Sequence, residues 1–291
     1  MIAFSAYAKV NLTLEVLGKR ADGYHNIASV LQTIDLADTL SIEEGEDIQL
    51  ICDIPDLASP DNLVVQAEML LREITGCSKG AVIRLAKAIP IAAGLGGGSS
   101  DAAAALHGLN EFWELGLPLW RLLQLASELG SDVPFFLVGG TALAEGRGER
   151  VTRLPALPSV WIVLLKPPLN VANKTARLYA ALEEADFTRG QWTQSLIALL
   201  RQGRSPDTLS LFNVFERAAL AFYPQLGEYR QLFKDSGAAS VHLAGAGPTL
   251  FALVGDRGQG EELCQCLWDR GLEAYLVRTV DVANSSHSGR K

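Results

Sequence analysis

The sequence predicts an α+β fold with two domains, and three observations support this class. A chain of 291 residues is long enough for one large domain or two ordinary ones. Strand and helix patterns are mixed in both halves without a regularly repeated β–α unit. The proline-containing segment LPALPSV suggests a boundary, so we expect domains at 1–153 and 154–281 and a disordered tail at 282–291. The last strand of the second domain could return to pack on the first.

The bulk composition is that of a globular protein. Hydrophobic residues make up 48% of the chain and charged residues 20%. The net charge of −8 disfavours general nucleic-acid binding, which needs a basic field, so an anionic substrate would have to be held by a local positive potential. We therefore expect a small-molecule partner and no nucleic-acid partner. The sequence leaves the oligomeric state open.

The sequence shows no sign of export or membrane insertion. The chain starts without a basic segment before an apolar run, and every long apolar stretch is broken by charges, glycine or proline. The cysteines lack metal-ligand spacing and are expected to be reduced; they are Cys52, Cys77, Cys264 and Cys266. These patterns predict a cytoplasmic protein without a membrane partner.

The clearest element of the first half is a strand at 5–16. Its residues alternate between polar and apolar, so Lys9 and Asn11 share one face. An Asp-Gly turn follows in RADGYHNI, and TLSIEE and DIQLIC have strand patterns. A helix is predicted to end at Gly76, and the strand AVIRLAKAI leads into a glycine-rich loop.

The order of elements stays irregular after this loop. Helices are predicted from about Ser99 to Trp113 and over LPLWRLLQLASELG, followed by a hairpin in TALAEGRGERVTRL. The second half predicts a strand in VWIVLLKPP, helices around 175–184, 192–201 and 213–234, two strands around a glycine turn in SVHLAGAGPTLFALVG, a helix near 258–270 and a last strand in EAYLVRTV.

The loop PIAAGLGGGSS at 90–100 predicts a phosphate site. Backbone N–H groups of a glycine-rich turn before a helix form a concave donor surface, to which the helix dipole adds partial positive charge. Ser99 and Ser100 stand at cap positions, where their hydroxyls can bond the backbone or reach a phosphate or Mg²⁺. The Walker motif is excluded because its lysine is missing, and Ser99 replaces the third glycine of a dinucleotide fingerprint. A flexible, serine-capped turn is the alternative without a ligand.

Three segments, in order along the chain, resemble the motifs of the GHMP small-molecule kinases, which include galactokinase, homoserine kinase and mevalonate kinase. PIAAGLGGGSSDAAA is similar to the phosphate-binding motif of that family, AYAKVNLTLEV to its first motif and LAGAGPTLFAL to its third. The resemblance implies the two-domain GHMP kinase fold with the active site in the inter-domain cleft. It also implies ATP-dependent phosphorylation of an alcohol, with Mg²⁺ accompanying the ATP.

By the same resemblance, ATP would be bound by the glycine-rich loop and by two residues near the adenine. The cofactor-binding residues are Pro90, Ile91, Ala92, Ala93, Gly94, Leu95, Gly96, Gly97, Gly98, Ser99 and Ser100, with Asn62 and Lys87 near the adenine. The alternative for Asn62 and Lys87 is that they are polar residues of the surface. No residue is assigned to a metal, and His107, His242 and His287 belong to no ligand cluster.

Two further segments, RADGYH and GSDVPFF, occur together in one branch of the family, which acts on a cytidine diphosphate derivative. The resemblance to this branch spans nearly the whole chain and implies that substrate class. A kinase of another small alcohol, such as homoserine or mevalonate, is the alternative within the family. The alternative that is not an enzyme is a catalytically inactive binding module of the same fold.

The resemblance assigns the catalytic roles to Asp132 and Lys9. Asp132 would accept or orient the proton of the substrate hydroxyl, since a hydroxyl is a poor nucleophile unless it is oriented and deprotonated. Lys9 would keep Asp132 ionised and offset charge that develops on the phosphoryl group. From spacing alone, Asp132 could equally bond the local backbone at a helix end, and Lys9 could lie on a solvated strand face.

The remaining family positions imply a substrate site. Its residues are Asn11, Tyr24, His25, Tyr179, Gly245 and Gly247. Tyr24 and His25 match residues on the cytidine side, and Tyr179 matches an aromatic residue that stacks on cytosine in relatives. Packing in a helix core is the alternative for Tyr179. Leu31 stands where some relatives have an aromatic residue.

Overall fold

The structure is a computed structural model that describes residues 1–169, 173–207 and 210–282. The predicted tail at 282–291 therefore lies outside the described residues, except for Val282. The strands are β1 (Ile2–Asn11), β2 (Thr13–Lys19), β3 (His25–Glu43), β4 (Ile48–Cys52), β5 (Ala81–Ala86), β6 (Thr141–Gly146), β7 (Arg150–Arg153), β8 (Trp161–Lys166), β9 (Phe212–Asn213), β10 (His242–Leu243), β11 (Leu250–Val254) and β12 (Glu273–Arg278). The helices are α1 (Leu63–Thr75), α2 (Gly97–Phe112), α3 (Leu119–Leu129), α4 (Val133–Val138), α5 (Lys174–Ala180), α6 (Gln191–Arg201), α7 (Phe215–Phe222), α8 (Pro224–Asp235) and α9 (Arg257–Trp268).

The described strands form two sheets. The first is eight-stranded and is built around the 19-residue strand β3, which pairs with β1, β2, β5 and β6. The second is four-stranded, in the order β10-β11-β8-β12, with every pair antiparallel. The pairs that β3 forms are also antiparallel, and helices and strands follow each other without a regularly repeated β–α unit, so the predicted α+β class is confirmed.

We propose a domain boundary at 153/154 on this arrangement. All elements of the first sheet except β9 precede residue 154, and the whole second sheet follows it. Two strand pairings among the described residues cross the boundary: β9 pairs in parallel with β2, and a bridge joins Ile34 of β3 to Thr279.

The predicted strand at 5–16 is interrupted at Leu12. β1 and β2 both pair with β3, and between them side chains replace part of the backbone ladder. The Val30 N–H donates to Thr13 Oγ1 at 3.0 Å, and Ser29 Oγ donates to the Thr13 carbonyl at 2.5 Å. These bonds allow the chain to bend where the polar face enters the interior.

A predicted single helix at 213–234 is two helices. α7 ends at Phe222 and α8 begins at Pro224. Proline has no N–H and clashes with the preceding turn, so it is tolerated at the start of a helix and not within one. The short helix α4, in the segment SDVPFFLVGG, was not predicted.

A core of small side chains positions the glycine-rich loop. Four consecutive alanines of α2, at 102–105, are fully buried between α1 and the first sheet. A Cβ on Gly108 would lie 2.8 Å from both Phe4 and Ile42, so α2 packs closely against β1 and β3 at this point. Close packing of this helix fixes the position of its N-terminus, where the loop ends.

Candidate active site

One large cavity of about 1390 Å³ lies where the glycine-rich loop, β1, α4, α5 and the turn between β10 and β11 meet. We call it the cleft. Residues that line it include Lys9, Asn11, Tyr24, His25, Ser29, Leu31, Asn62, Lys87, Asp101, Asp132, Arg147, Lys174, Tyr179, Gly245 and Ala246. The structure therefore brings together in one cavity nearly all the residues to which the sequence assigns a role.

Backbone packing shapes the glycine-rich loop and requires glycine at two positions. Gly94 has φ +86°, and a Cβ there would lie 2.3 Å from the Ala244 carbonyl oxygen. Gly96 has φ +77°, and a Cβ there would lie 2.5 Å from the Phe136 ring. Gly96 also caps α2 without a side-chain hydrogen bond. The N-terminal N–H groups of α2 are therefore not covered by a capping side chain, as an anion-binding turn requires.

Most of the predicted loop residues line the cleft. They are Pro90, Ile91, Ala92, Ala93, Gly94, Gly96, Gly97, Gly98 and Ser99. The other two turn inward. The Leu95 side chain is only 1% exposed in the hydrophobic core, and Ser100 Oγ donates to the Tyr7 carbonyl at 2.6 Å. Of the two serines, Ser99 alone thus offers its side chain to the cleft.

Lys9 lies at the centre of a buried chain of hydrogen bonds and is only 4% exposed. Its Nζ donates to Asn11 Oδ1 at 2.6 Å, and Asn11 Nδ2 donates to Ser29 Oγ at 2.9 Å. Its Nζ also lies 3.5 Å from Asp132 Oδ2. The alternative of a solvated strand lysine is therefore wrong. Lys9 and Asn11, on the polar face of β1, both line the cleft and are buried.

Asp132 stands at the N-cap of α4, but its side chain makes no capping hydrogen bond. Its side chain is 43% exposed, and it faces the cleft next to Lys9. The alternative of a backbone-bonded helix-terminal aspartate is thus wrong. A partly solvated carboxylate with a neighbouring ammonium group can accept a proton or a hydrogen bond from a ligand hydroxyl.

The glycine turn between β10 and β11 closes the cleft over Lys9. A Cβ on Gly245 would lie 2.9 Å from the Gly94 carbonyl oxygen and 3.3 Å from Lys9 Nζ. Asn213 fixes this turn, since its Nδ2 donates to the Leu243 and Gly245 carbonyls, each at 2.8 Å. No sequence pattern indicated this role of Asn213, because a lone asparagine before a helix is usually a cap.

An aromatic site forms the other end of the cleft. The rings of His25 and Tyr179 are stacked, with centroids 5.0 Å apart and planes at 18°. Phe215 packs edge-on against Tyr179 at 4.8 Å. Burial, and secondarily the charge of Lys19, lowers the pKa of His25, while burial, and secondarily Asp132, raises that of Tyr179. Both rings are therefore uncharged near neutrality.

Tyr24 lies at the mouth of this aromatic site, and its side chain is 53% exposed. The Arg147 guanidinium stands 4.9 Å from the centre of its ring. Leu31, by contrast, is 2% exposed and lines the wall of the cleft. Arg147 was not predicted as a site residue, because an arginine in a hairpin turn has no distinctive pattern.

The side chains of Asn62 and Lys87 are largely engaged by the protein. Asn62 caps α1 through its Oδ1, which accepts from the Val64 N–H at 2.9 Å, and its Nδ2 donates to Leu57 O at 2.7 Å. Lys87 Nζ is ion-paired with Asp38 and Asp101, and its side chain is 5% exposed. Lys87 is therefore not a surface residue. Asn62 and Lys87 both line the cleft, and contacts within the protein fix their side chains there.

Asp101, in the first turns of α2, is a titratable group that sequence reasoning missed. It is 3% exposed, its Oδ2 accepts from Lys87 Nζ at 2.6 Å, and its Oδ1 has no hydrogen-bond partner among the described residues. Burial raises its pKa to about 7 against the attraction of Lys87, and the charge of Asp38 raises it further.

Lys174, the first residue of α5, is a second cation that was not predicted. Its Nζ donates to the Ala92 carbonyl of the loop and to the Gly247 carbonyl of the glycine turn. Burial, and then repulsion from Lys9, lowers its pKa to about 8. The pattern NKT at a helix start carries no signal for such a bridge.

The fold and the site together define a kinase of the GHMP class. The family model "GHMP kinases N terminal domain" matches residues 62–140, and the family model "GHMP kinases C terminal" matches residues 194–272. A 4-diphosphocytidyl-2-C-methyl-D-erythritol kinase of Dehalococcoides mccartyi is 46% identical over 96% of this chain and 99% of the relative. The chain therefore belongs to the 4-diphosphocytidyl-2-C-methyl-D-erythritol kinase family. It is a small-molecule kinase, as the motifs implied.

Solved structures agree with this assignment. A crystal structure of 4-(cytidine 5'-diphospho)-2C-methyl-D-erythritol kinase superimposes with a TM-score of 0.82 and 33% identity, covering 96% of this chain and 99% of that one. Homoserine kinase from Cytophaga hutchinsonii superimposes with a TM-score of 0.70 and 17% identity, covering 99% of this chain and 98% of that one. The second likeness shows the shared fold alone. Within the described part of the chain, no helix is long and apolar enough to cross a membrane.

Proposed function

We propose that this chain transfers the γ-phosphoryl group of ATP to the 2-hydroxyl of 4-diphosphocytidyl-2-C-methyl-D-erythritol, a step of the non-mevalonate route to isoprenoid precursors. The observation that carries the proposal is the Lys9–Asp132 pair. Its 3.5 Å contact lies in one cleft with a glycine-rich loop and an aromatic site. One cavity would thus hold the phosphates of ATP, the reacting hydroxyl and the cytosine base.

The phosphates of ATP would lie against the N-terminus of α2. Ala92, Gly94 and Gly96 have positive φ angles of 53°, 86° and 77°, so this loop follows a tight turn. Gly98 has nothing within 4 Å of a Cβ position, which leaves open space above the helix N-terminus. Backbone donors and the helix dipole can hold anionic phosphates there although the chain is acidic overall.

Asp132 would orient the acceptor hydroxyl and receive its proton. Lys9 Nζ lies 3.5 Å from Asp132 Oδ2, so the ammonium group fixes the carboxylate next to the position of the acceptor hydroxyl. The same ammonium group can offset negative charge that develops as the phosphoryl group moves to the acceptor oxygen. Asn11 would fix the direction of Lys9 through its 2.6 Å hydrogen bond. Because this pair is held by β1 and α4, its geometry precedes substrate binding.

The cytidine would be held by Tyr24, His25 and Tyr179. A lowered pKa keeps His25 neutral, so its imidazole can donate and accept hydrogen bonds at a pyrimidine edge. The aromatic faces of Tyr24 and Tyr179 offer stacking surfaces for the base. Gly245, in the turn above Lys9, lines the cleft and would let the backbone approach the substrate phosphates. Gly247 is buried and does not line the cleft, so it would support the turn, with its carbonyl accepting from Lys174.

Mg²⁺ would be held mainly by ATP. Among the described residues, no three His, Cys, Asp or Glu side chains gather as a metal site. A site with few protein ligands fits Mg²⁺, because this ion usually keeps several waters and is bound through substrate phosphates plus one or two protein oxygens. The hydroxyl of Ser99 faces the cleft and could supply such an oxygen. When bound, the ion would neutralise phosphate charge.

The test is an assay of ADP release from Mg-ATP with each candidate acceptor. We expect ADP release with 4-diphosphocytidyl-2-C-methyl-D-erythritol and only background release with homoserine or mevalonate. The opposite pattern would show that the acceptor assignment is wrong. Tight binding of ATP and acceptor without ADP release would instead favour an inactive binding module.

A further inference from the structure

Two ammonium groups, Lys9 and Lys174, meet at the glycine turn. Lys174 Nζ donates to Gly247 O, and Lys9 Nζ would lie 3.3 Å from a Cβ on Gly245. Their proximity is also evident in the pKa of Lys174, which repulsion from Lys9 helps to lower. Like charges at close range oppose each other, so this arrangement needs a compensating anion.

The described part of the chain supplies little compensation. Lys9 has Asp132 at 3.5 Å, whereas Lys174 has only carbonyl partners and forms no ion pair there. An ammonium group has three N–H donors, and the structure uses two of those of Lys174. One donor and most of the positive charge are thus free for a ligand.

The position of Lys174 along α5 indicates which ligand group it would meet. Tyr179, five residues further along the helix, lies about 7.5 Å away along the helix axis. Tyr179 belongs to the proposed cytidine site, and Lys9 belongs to the reacting centre. Lys174 thus shares α5 with Tyr179 and the glycine turn with Lys9. In a cytidine diphosphate derivative, the 5'-diphosphate joins the cytidine to the reacting alcohol in the same way.

We propose that Lys174 binds the diphosphate of the acceptor substrate through a charge-assisted hydrogen bond, an inference that rests on the proposed function. A diphosphate diester carries two negative charges. They would balance the positive charge of Lys174 and the part of the Lys9 charge that Asp132 does not offset. The bonds of Lys174 to Ala92 and Gly247 hold the ammonium group in place before substrate arrives. Preorganisation of this kind lowers the entropy lost on binding.

The experiment measures the binding of CDP, cytidine and ADP to the full chain by calorimetry. Loss of a charge-assisted hydrogen bond weakens binding about tenfold to one-hundredfold. We expect Lys174→Gln and Lys174→Ala to weaken CDP by that factor while cytidine and ADP bind as before. Lys174→Arg, which keeps the charge, should restore most of the CDP affinity.

Arg177 provides a matched control on the same helix. Its guanidinium stacks over Phe222 at 5.5 Å, away from the cleft, so Arg177→Ala should bind all three ligands like the wild type. Unchanged CDP affinity in both Lys174 variants would overturn the inference, as would weaker ADP binding instead. An equal loss of CDP and cytidine would also overturn it, because damage to α5 would then be the cause.

The two proposals fail in different ways. Wild-type protein that binds CDP, combined with Lys174 variants that bind it equally well, would refute the role of Lys174 alone. Wild-type protein that binds no CDP and releases no ADP with the cytidyl substrate would refute the proposed function, and the inference with it.

Discussion

Lys9 Nζ lies 3.5 Å from Asp132 Oδ2 and donates at 2.6 Å to Asn11 Oδ1. The two charged groups come from elements 123 positions apart in sequence, since Lys9 is on β1 and Asp132 is the N-cap residue of α4. The carboxylate is 43% exposed and the lysine side chain 5%, so the pair presents its acidic partner to the cleft. This asymmetry suits a carboxylate that must reach a ligand while its counter-ion stays fixed.

We predict that Asp132→Asn lowers kcat about 10²- to 10⁴-fold, the usual contribution of a positioned acid–base group. ATP affinity should stay within about twofold, because Asp132 does not belong to the glycine-rich loop. Steady-state rates and ATP titration measure the two effects. Asp269→Asn, at the exposed end of α9, is the control and should behave like the wild type. A kcat near the wild-type value for Asp132→Asn would exclude this residue from the chemistry.

Two glycine substitutions separate folding from phosphate binding. Gly94→Ala should destabilise the protein, because its Cβ would lie 2.3 Å from Ala244 O at a positive φ. Gly98→Ala should leave the free energy of unfolding unchanged or raise it by up to about 1 kcal/mol, since the site is open and helical.

The same Gly98→Ala variant should bind ATP at least tenfold more weakly if phosphates lie over the N-terminus of α2. Urea unfolding and ATP titration of both variants provide the measurements. Wild-type ATP affinity in Gly98→Ala would place the phosphates elsewhere.

We predict that Tyr179→Ala raises KM for the cytidyl substrate about tenfold to one-hundredfold, as expected for the loss of one base–aromatic stack. Tyr179→Phe keeps the ring and should raise KM less than threefold. KM for ATP should not change in either variant. If Tyr179 only packs against Phe215, Tyr179→Ala would lower stability while KM for the cytidyl substrate stayed constant.

Asp101 should make stability fall as pH rises. Its pKa is about 7 in the folded state, against 3.8 for an unperturbed aspartate, so the folded state binds an extra proton between these values. That contribution is fully present below pH 3.8 and is lost as pH rises through 7. His25 and His107, whose pKa values are lowered by burial, act in the opposite direction over part of this range.

The comparison of Asp101→Asn with the wild type isolates that contribution. We expect the variant to gain stability relative to the wild type between pH 5 and pH 8, by on the order of 1 kcal/mol or more. Urea unfolding at the two pH values measures it. Asp61→Asn, at an exposed position before α1, is the control and should show no such gain. Parallel pH profiles of Asp101→Asn and the wild type would contradict the raised pKa.

Local patterns predicted the parts of the site that depend on backbone chemistry. The spacing of Gly94, Gly96 and the serines indicated an anion-binding turn, and the structure places that turn at the start of α2. Local patterns could not predict that Lys174 bridges two carbonyls, because those carbonyls belong to residues 82 and 73 positions away in sequence. Buried Asp101 was missed for the same reason, since an acid in a helix usually faces solvent.

The order of strands and helices, the α+β class and the phosphate-binding loop follow from short-range information, because periodicity and glycine conformational freedom act over a few residues. Short-range information does not tell whether the polar face of β1 meets water or a cleft, since polar and apolar residues alternate in the same way in both cases. Packing of β1 and β2 against β3, with the bend at Leu12, decided that Lys9 is buried beside Asp132. Long-range contacts thus bring Lys9 of a polar strand face next to Asp132.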